Sequence, residues 1–211
     1  GNAVRVSLEK AVVEAPADPE AYVIIGDIAM AQGRVTEASM LFDKAQQLLA
    51  NFTKSPRRKA ILEARNLSGL SAVAEARGDW KKALERLTEW QKMEPKNAVC
   101  LQRLARAQFQ LKKPGEALEL LREAAKLDEN VLTPEAQLAR FYHEFGDEAN
   151  AQIWFNNAVK VAPNDVRTRL VTAQWYLETN QLDKATEEAT AATKLDPKSL
   201  EAKLFCGVVA L

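Results

Sequence analysis

The side chains that could support catalysis or metal binding are few and widely separated in this chain. His143 is the only histidine, and the pair His143-Glu144 is not followed by a second histidine four residues later, as a helical zinc site requires. The cysteines, Cys100 and Cys206, do not form a Cys-x-x-Cys motif. Neither a G-x-S-x-G turn nor a glycine-rich phosphate loop occurs. We therefore expect no enzymatic activity, no metal site and no cofactor in this segment.

Four basic side chains form the densest charge cluster of the sequence. They surround Ser55 and Pro56, a pair typical of the start of a helix. Cations are unfavourable at a helix N-terminus, where unpaired N–H groups concentrate partial positive charge. The cluster is therefore either a solvated turn or a site for a phosphate, an acidic protein or a lipid head group. Its members are Lys54, Arg57, Arg58 and Lys59.

The elements that must position these residues repeat with a period of 34 residues. Three columns of residues carry the period: a turn position, an alanine five residues after it, and a proline that closes the unit, with Glu129 in the place of one proline. A fixed period of this kind indicates stacked supersecondary units. The columns are Gly78, Lys112, Gly146 and Asn180; Ala83, Ala117, Ala151 and Ala185; and Pro95, Pro163 and Pro197.

Each unit reads as two helices joined by a tight turn. In residues 132–163, Thr133 and Pro134 are typical of an N-cap and a first helical turn. Gly146 ends that helix, and Ala151 and Phe155 mark the apolar stripe of the next. Two helices joined so tightly can approach closely only where a small residue faces the partner. The pattern predicts an antiparallel helix pair.

This 34-residue helix-turn-helix, with small residues at fixed offsets and a terminal proline, resembles the tetratricopeptide repeat. The resemblance implies an all-α fold, a right-handed α-solenoid of stacked antiparallel helix pairs that forms one domain over residues 1–211. Because the array begins and ends within a repeat, we expect a fragment of a longer chain. The predicted repeats are 19–52, 64–97, 98–131, 132–165 and 166–199, with half repeats at 3–16 and 200–211.

One helix pair is longer than the others. From Gly33 to Gly78 the sequence runs 45 residues rather than 34, and the extra eleven residues are helix-forming rather than loop-like. We expect them to lengthen the helices before and after Ser55 by about five or six residues each, roughly 8 Å. The sequence therefore predicts a protruding hairpin with the basic cluster at its tip, where charge reversal should slightly raise stability.

The resemblance also implies a concave groove lined by the first helices. Arg106 and Arg140 lie one period apart and should be neighbours, which would suit an acidic segment held through bidentate carboxylate contacts. The alternative is that both arginines pair with carboxylates such as Glu144 and Glu178. The full clamp for a C-terminal carboxylate, known in chaperone-tail-binding members of the family, is absent. The predicted groove residues are Gln102, Arg106, Phe109, Arg140, His143, Leu170 and Gln174.

Composition restricts the class of partner. Lys plus Arg and Asp plus Glu both number 29, so the formal net charge is zero and no global field favours nucleic acid. Apolar runs fall far short of the roughly 20 residues that span a bilayer, which predicts a soluble protein and favours the cytoplasm, although a targeting segment would lie outside this segment. The leading hypothesis is a scaffold that binds a protein or peptide.

The alternative hypothesis is a structural or regulatory segment of a larger polypeptide. The last stretch, AKLFCGVVAL, carries Leu204, Val208 and Leu211 with no second helix to cover them. We expect this apolar face to pair with another copy or another segment.

Overall fold

The computed structural model describes residues 13–209. These residues contain eleven complete helices and no strand. The helices follow one another in stacked pairs, which confirms the predicted all-α class. They are α1 Pro19–Ala31, α2 Val35–Ala50, α3 Pro56–Ala76, α4 Trp80–Met93, α5 Ala98–Gln110, α6 Pro114–Leu127, α7 Pro134–Glu144, α8 Glu148–Val161, α9 Val166–Glu178, α10 Leu182–Leu195 and α11 Leu200–Val209.

The turn column sets the end of each first helix. All its members adopt the left-handed backbone conformation, including Lys112 at φ 65° and Asn180 at φ 59°, where a side chain is tolerated at some cost. The chain then turns back, as the Asp147 N–H donates to the Tyr142 carbonyl at 2.9 Å. This closes the helix with the hydrogen bonds of a C-terminal cap. The predicted turn positions are confirmed.

The alanine column is buried: Ala83, Ala117, Ala151 and Ala185 are all completely buried. In the second unit, Ala151 and Ala185 pack in one cluster with Ala139 and Tyr176 of their preceding helices. An alanine side chain keeps two backbones close, because a larger group would push the helices apart. The predicted reason for the small residues is therefore confirmed for these two pairs.

The chain separates into two compact units, one ending at Lys113 and the other beginning at Pro114, and each is described by itself. The boundary falls inside the predicted repeat 98–131, and the single array over residues 1–211 stays a prediction. The predicted half repeat 3–16 lies mostly outside the described residues. The half repeat 200–211 coincides with α11, apart from its last two residues, which are not described.

In the first unit, α1 to α5, the first three helices pack around Phe42 on α2. The Phe42 ring is fully buried against Val23 and Leu70. It also lies against two helical glycines, Gly26 on α1 and Gly69 on α3. A β-carbon added to Gly26 would come within 2.6 Å of the ring, and one added to Gly69 closer still. One aromatic ring thereby fixes the spacing of three helices.

The lengthened hairpin differs from its prediction. Helix α2 has 16 residues and α3 has 21, against 14 in α4 and 13 in α5. The extra residues thus fall mainly on α3, and an equal division between the two helices is wrong. The tip is anchored as well, because Phe52 is 7% exposed and Arg58 contacts Asp18 and Glu20 at the start of α1. These contacts hold the start of α3 against α1.

The second unit, α6 to α11, has an aromatic core. Phe155 on α8 stacks on Trp175 of α9 at 4.9 Å between ring centroids, and Tyr176 lies 4.7 Å from Trp175. Arg169, which stands where an apolar residue is expected, donates to Glu188 at 2.7 Å. Thr172, another such departure, is buried and donates to the Thr168 carbonyl of its own helix. Both departures are compensated by hydrogen bonds.

Candidate protein-binding groove

A cavity of about 370 Å³ opens between α7 and α9 in the second unit. We call it the α7–α9 cavity. Its walls come from two consecutive first helices and its floor from α8 and α9, because the short turns place first helices side by side. The lining residues are Arg140, His143, Glu144, Phe155, Val171, Gln174, Trp175 and Glu178.

The floor of the α7–α9 cavity is rigid and apolar. Trp175 is 2% exposed and stacks on Phe155 with an angle of 24° between the ring planes. The indole Nε1–H donates to Glu148 Oε2 at 2.9 Å, so the single polar group of the ring is satisfied away from the cavity. The side chains that form the floor are therefore held in place before any ligand arrives.

The rim is dominated by a histidine held between two carboxylates. His143 Nδ1 lies 2.7 Å from Glu148 Oε1, and Nε2 lies 3.0 Å from Glu178 Oε2. A neutral imidazole has one N–H and can donate to only one of them, whereas the protonated ring donates to both. Gln174 Nε2 donates to the other oxygen of Glu178 at 2.9 Å. Glu178 is thus oriented from two sides.

Arg140, the cation of this rim, lies beside a carboxylate of its own helix. Its Nη2 is 3.7 Å from Glu144 Oε1, one helical turn further along α7. The arginine side chain remains 51% exposed. An exposed ion pair at this distance is weak. The rim therefore carries two carboxylates, Glu144 and Glu178, and one arginine.

A second depression, the α9–α11 cavity, lies on the other flank of α9. Its volume is about 310 Å³, and it shares Val171 and Gln174 with the α7–α9 cavity. The two cavities therefore adjoin each other on either side of these α9 residues. The lining residues are Asn130, Leu132, Arg167, Leu170, Val171, Gln174, Glu201 and Phe205.

The structure brings together four of the predicted groove residues. Arg140, His143 and Gln174 line the α7–α9 cavity, and Leu170 lines the α9–α11 cavity with Gln174. The other three, Gln102, Arg106 and Phe109, lie on α5 in the first unit, where Phe109 is only 7% exposed. The predicted pairing of Arg106 with Arg140 joins the two units and stays a prediction.

Sequence reasoning missed the residues that shape the α7–α9 cavity. Trp175 is a buried core residue that also lines the cavity with Phe155 and Val171. Glu178, which the alternative hypothesis paired with arginine, contacts His143 and Gln174, whereas Arg140 lies near Glu144 as that alternative expected. The sequence signal was available, since His143 and Glu178 lie 35 residues apart, close to one period.

The basic cluster at the hairpin tip is partly engaged. Arg58 Nη2 lies 3.0 Å from Asp18 Oδ2, and the guanidinium stands 5.5 Å above the Phe52 ring. Lys59 lies 3.7 Å from Glu63 on the next turn of α3. Lys54 and Arg57 are exposed. Lys54 nevertheless lies close enough to Asp18 to help lower the pKa of that carboxyl, so three of the four cations have carboxylate neighbours within the chain.

The described residues show little that could carry catalysis. They contain no group of three or more histidine, cysteine or acidic side chains placed to hold a metal ion. Burial raises the pKa of the Cys100 thiol to about 12, so hardly any nucleophilic thiolate forms near neutral pH. No helix among residues 13–209 has the length and apolar character needed to cross a membrane.

These features define a class of protein, an all-α repeat protein with a groove on its first helices. Three tetratricopeptide-repeat family models match the sequence, over residues 7–56, 74–140 and 136–165. The chain belongs to the tetratricopeptide-repeat family. Its fold is that of a protein–protein interaction scaffold. A comparison with curated protein sequences finds no match.

Solved structures with the same fold cover nearly the whole chain. YrrB, described as a TPR protein with an unusual peptide-binding site, is 19% identical with a TM-score of 0.55, covering 93% of this chain and 96% of YrrB. PilF of Pseudomonas aeruginosa is 19% identical with a TM-score of 0.58, covering 98% and 89%. TTC0263, a TPR protein of Thermus thermophilus, is 20% identical with a TM-score of 0.53, covering 91% and 98%. At these identities the similarity concerns the fold alone.

Proposed function

We propose that this protein is a non-catalytic scaffold that binds a segment of a partner protein along the groove formed by the α7–α9 and α9–α11 cavities. The observation that carries the proposal is the adjacency of the two cavities, which share Val171 and Gln174. Two adjoining cavities along neighbouring first helices suit an extended or helical segment better than a small compact ligand.

The composition of the groove supports the same conclusion. Val171 and Phe205, which are half-buried, supply apolar surface, while the exposed amide of Gln174 offers both donors and acceptors. A peptide that enters the groove can bury apolar side chains and still satisfy its polar groups.

The sequence predicted that the partner is acidic, and Arg140 and Arg167 are the groove cations that would hold such a segment. This remains a prediction. Arg140 already lies near Glu144, and Arg167 donates to the Glu129 carbonyl at 2.6 Å, so an acidic partner would compete with contacts inside the chain.

Peptide selection tests the proposed groove. Random phage-displayed peptides are selected on the parent protein, and enriched peptides are then measured by fluorescence polarisation against two variants. Gln174→Trp places a large side chain at the junction of the cavities without touching the core, because Gln174 is exposed. Thr190→Trp places the same side chain on an exposed position of α10, outside both cavities.

We expect enriched peptides to bind Gln174→Trp at least about tenfold more weakly, since a blocked groove loses its buried contacts. The same peptides should bind Thr190→Trp and the parent equally. Equal binding to Gln174→Trp and the parent would place the interaction elsewhere and overturn the proposed groove.

A second function, as a structural segment that packs on another part of its protein or on a second copy, is favoured by the apolar face of α11. Leu204 lies one period after Leu170 and is 62% exposed, whereas Leu170, covered by α11, is 6% exposed. Leu200 and Val208, one turn on either side of Leu204, are also exposed. Such a row of exposed apolar side chains is typical of an interface.

Sedimentation velocity over a wide concentration range tests self-association through this face. We expect the parent to associate and Leu204→Glu to remain a monomer. A parent that stays monomeric at every concentration would rule out pairing with a second copy.

A further inference from the structure

The charges around the α7–α9 cavity point to the chemistry of its occupant. Among the lining residues, the carboxylates of Glu144 and Glu178 outnumber the single guanidinium of Arg140. Glu148, which contacts both His143 and Trp175, adds a third carboxylate beside the cavity. The summed charge of Glu144, Glu148, Glu178 and Arg140 is therefore negative whenever His143 is neutral, although the chain as a whole has no net charge.

Glu178 is the carboxylate best placed to meet a ligand. Its side chain is 45% exposed, yet both its oxygens are already oriented, one by Gln174 at 2.9 Å and the other near His143 at 3.0 Å. A carboxylate has about four lone-pair sites, so these contacts leave capacity for further donors. Little side-chain freedom is lost when a group oriented in this way accepts a new hydrogen bond.

The cavity floor complements that carboxylate. Val171, which is half-buried, presents apolar surface below the acidic rim, and the stacked Phe155 and Trp175 rings are buried beneath it. Lysine and arginine combine a long apolar stem with a cationic head. A cavity of about 370 Å³ is near the lower end of the usual range for ligand sites, which fits one long side chain.

We infer that the α7–α9 cavity binds a lysine or arginine side chain of the partner segment, with its stem over Val171 and its head donating to Glu178. This inference rests on the proposed peptide-binding groove and adds the chemical class of the anchoring residue. An acidic side chain would bring a further negative charge to the rim, where like charges disfavour binding. For the α7–α9 cavity, the inference therefore replaces the acidic partner that the sequence predicted.

The selected peptides themselves give the first test. We expect a lysine or arginine at a fixed position of the enriched sequences, and an affinity that falls as ionic strength rises. The sharper test is a double-mutant cycle on the tightest peptide. One side of the cycle compares that peptide with a copy carrying methionine in place of the basic residue, and the other side compares the parent protein with Glu178→Gln.

Glu178→Gln removes the charge and keeps a side chain of the same shape that can still hydrogen-bond to its neighbours. It should weaken the basic peptide about tenfold, as expected for a hydrogen bond to a charged group, and leave the methionine peptide unchanged. Glu187→Gln, which removes an exposed carboxylate from α10, should change neither affinity. Glu178→Arg should bind a peptide carrying glutamate at that position better than the parent does.

The outcomes separate the two proposals. Peptides that lose affinity for Gln174→Trp but have no basic residue, or have an acidic one, support the groove and overturn the cationic anchor. Basic peptides whose affinity is the same for Glu178→Gln and the parent also overturn it. If no selected peptide depends on Gln174, the groove itself fails.

Discussion

Two equivalent places in the molecule, one in each unit, are used in opposite ways. In the first unit, Arg103 on α5 reaches across to α3, where its Nε lies 3.0 Å from Glu75 Oε1 and its Nη2 donates to Ser71 at 2.8 Å. Two periods later the positions of Glu75 and Arg103 are occupied by His143 and Val171. There, between α7 and α9, a cavity of about 370 Å³ is open.

The repeat therefore determines that a gap lies between consecutive first helices, but it does not determine which side chains fill that gap. A long cation paired with a carboxylate closes the gap in the first unit, and Arg103 and Glu75 are only about one-fifth exposed. A short valine leaves the gap open in the second unit. Residues outside the 34-residue pattern therefore decide which of the two gaps is open.

The substitution expected to destabilise the tightly packed first unit most is Gly69→Ala. The new β-carbon would overlap the fully buried Phe42 ring, and overpacking of this kind costs about 1–3 kcal/mol. Because alanine otherwise favours a helix by about 1 kcal/mol, the net loss in the free energy of unfolding should be up to about 2 kcal/mol, with a larger loss if the ring cannot move. Urea denaturation of parent and variant measures it.

Gly115→Ala in α6 is the matched control, since nothing lies within 4 Å of the added carbon. It should be neutral or stabilising by up to about 1 kcal/mol. Phe42→Leu should cost less in the Gly69→Ala background than in the parent, because the two positions share one space. If the losses in the free energy of unfolding for Gly69→Ala and Phe42→Leu are additive, the Phe42 ring does not hold α3 in place.

The second change opens the closed gap by copying the other unit. Arg103→Val leaves Glu75 without its partner, removes the hydrogen bond to Ser71, and removes the guanidinium 5.6 Å above the Trp90 ring. We expect a loss of about 2 kcal/mol in the free energy of unfolding, measured in urea. Adding Glu75→His should recover part of it, because no unpaired carboxylate then remains between the helices. No recovery would mean that packing, rather than the charge pair, closes this gap.

The converse change fills the open gap. Val171→Arg places a long side chain in the α7–α9 cavity, beside Glu178, and should weaken groove-dependent peptides at least about tenfold by occupying their site. Val171→Ile keeps the apolar wall and should retain the affinity within about threefold. Val171 is half-buried, so thermal unfolding should change little in either variant. Undiminished peptide binding to Val171→Arg would mean that the cavity is not the binding site.

The sequence predicted those parts of the fold that a single repeat must satisfy by itself. A left-handed turn and a small residue at the helix contact are local requirements, and so the columns through Gly146 and Ala151 were sufficient to find them. The inward-facing positions implied by the resemblance also included Arg140, His143 and Gln174, which share one cavity.

The rest depends on contacts between repeats. Helix-forming sequence on both sides of Ser55 does not determine which helix is lengthened, because that depends on Arg58 meeting Asp18 forty residues earlier. Likewise, whether a gap is open or filled depends on pairs such as Arg103 with Glu75, 28 residues apart. Periodicity identifies equivalent positions, but it does not determine which charged side chains will meet.

The smallest expected change in stability concerns the contact of Arg58 with Asp18 and Glu20, which holds the start of α3 against α1 at the hairpin tip. Arg58→Glu brings a third carboxylate beside Asp18 and Glu20 and should destabilise by about 1 kcal/mol, the upper range for a surface pair. The slight rise in stability predicted from the sequence for charge reversal in the cluster therefore does not apply to Arg58. Arg57→Glu is the matched control, since Arg57 is exposed and an acidic residue suits the first turn of a helix; it should be neutral or slightly stabilising. Equal stabilities of the two variants would show that the contact of Arg58 with Asp18 and Glu20 does not stabilise the protein and that the tip is a solvated turn.

The pH dependence of that difference identifies the carboxylate involved. Burial alone would raise the pKa of Asp18, but the Glu20 backbone N–H and the Arg58 guanidinium outweigh it and hold the pKa below its ordinary value of 3.8. A carboxyl whose pKa is lowered on folding contributes stability above its unfolded pKa and loses it as the pH falls through the folded pKa. The cost of Arg58→Glu, measured by urea denaturation, should therefore be full at neutral pH and should shrink below about pH 4. A cost that stays constant into that acid range would exclude Asp18 as the partner, and lost packing of Arg58 on Phe52 would then account for it.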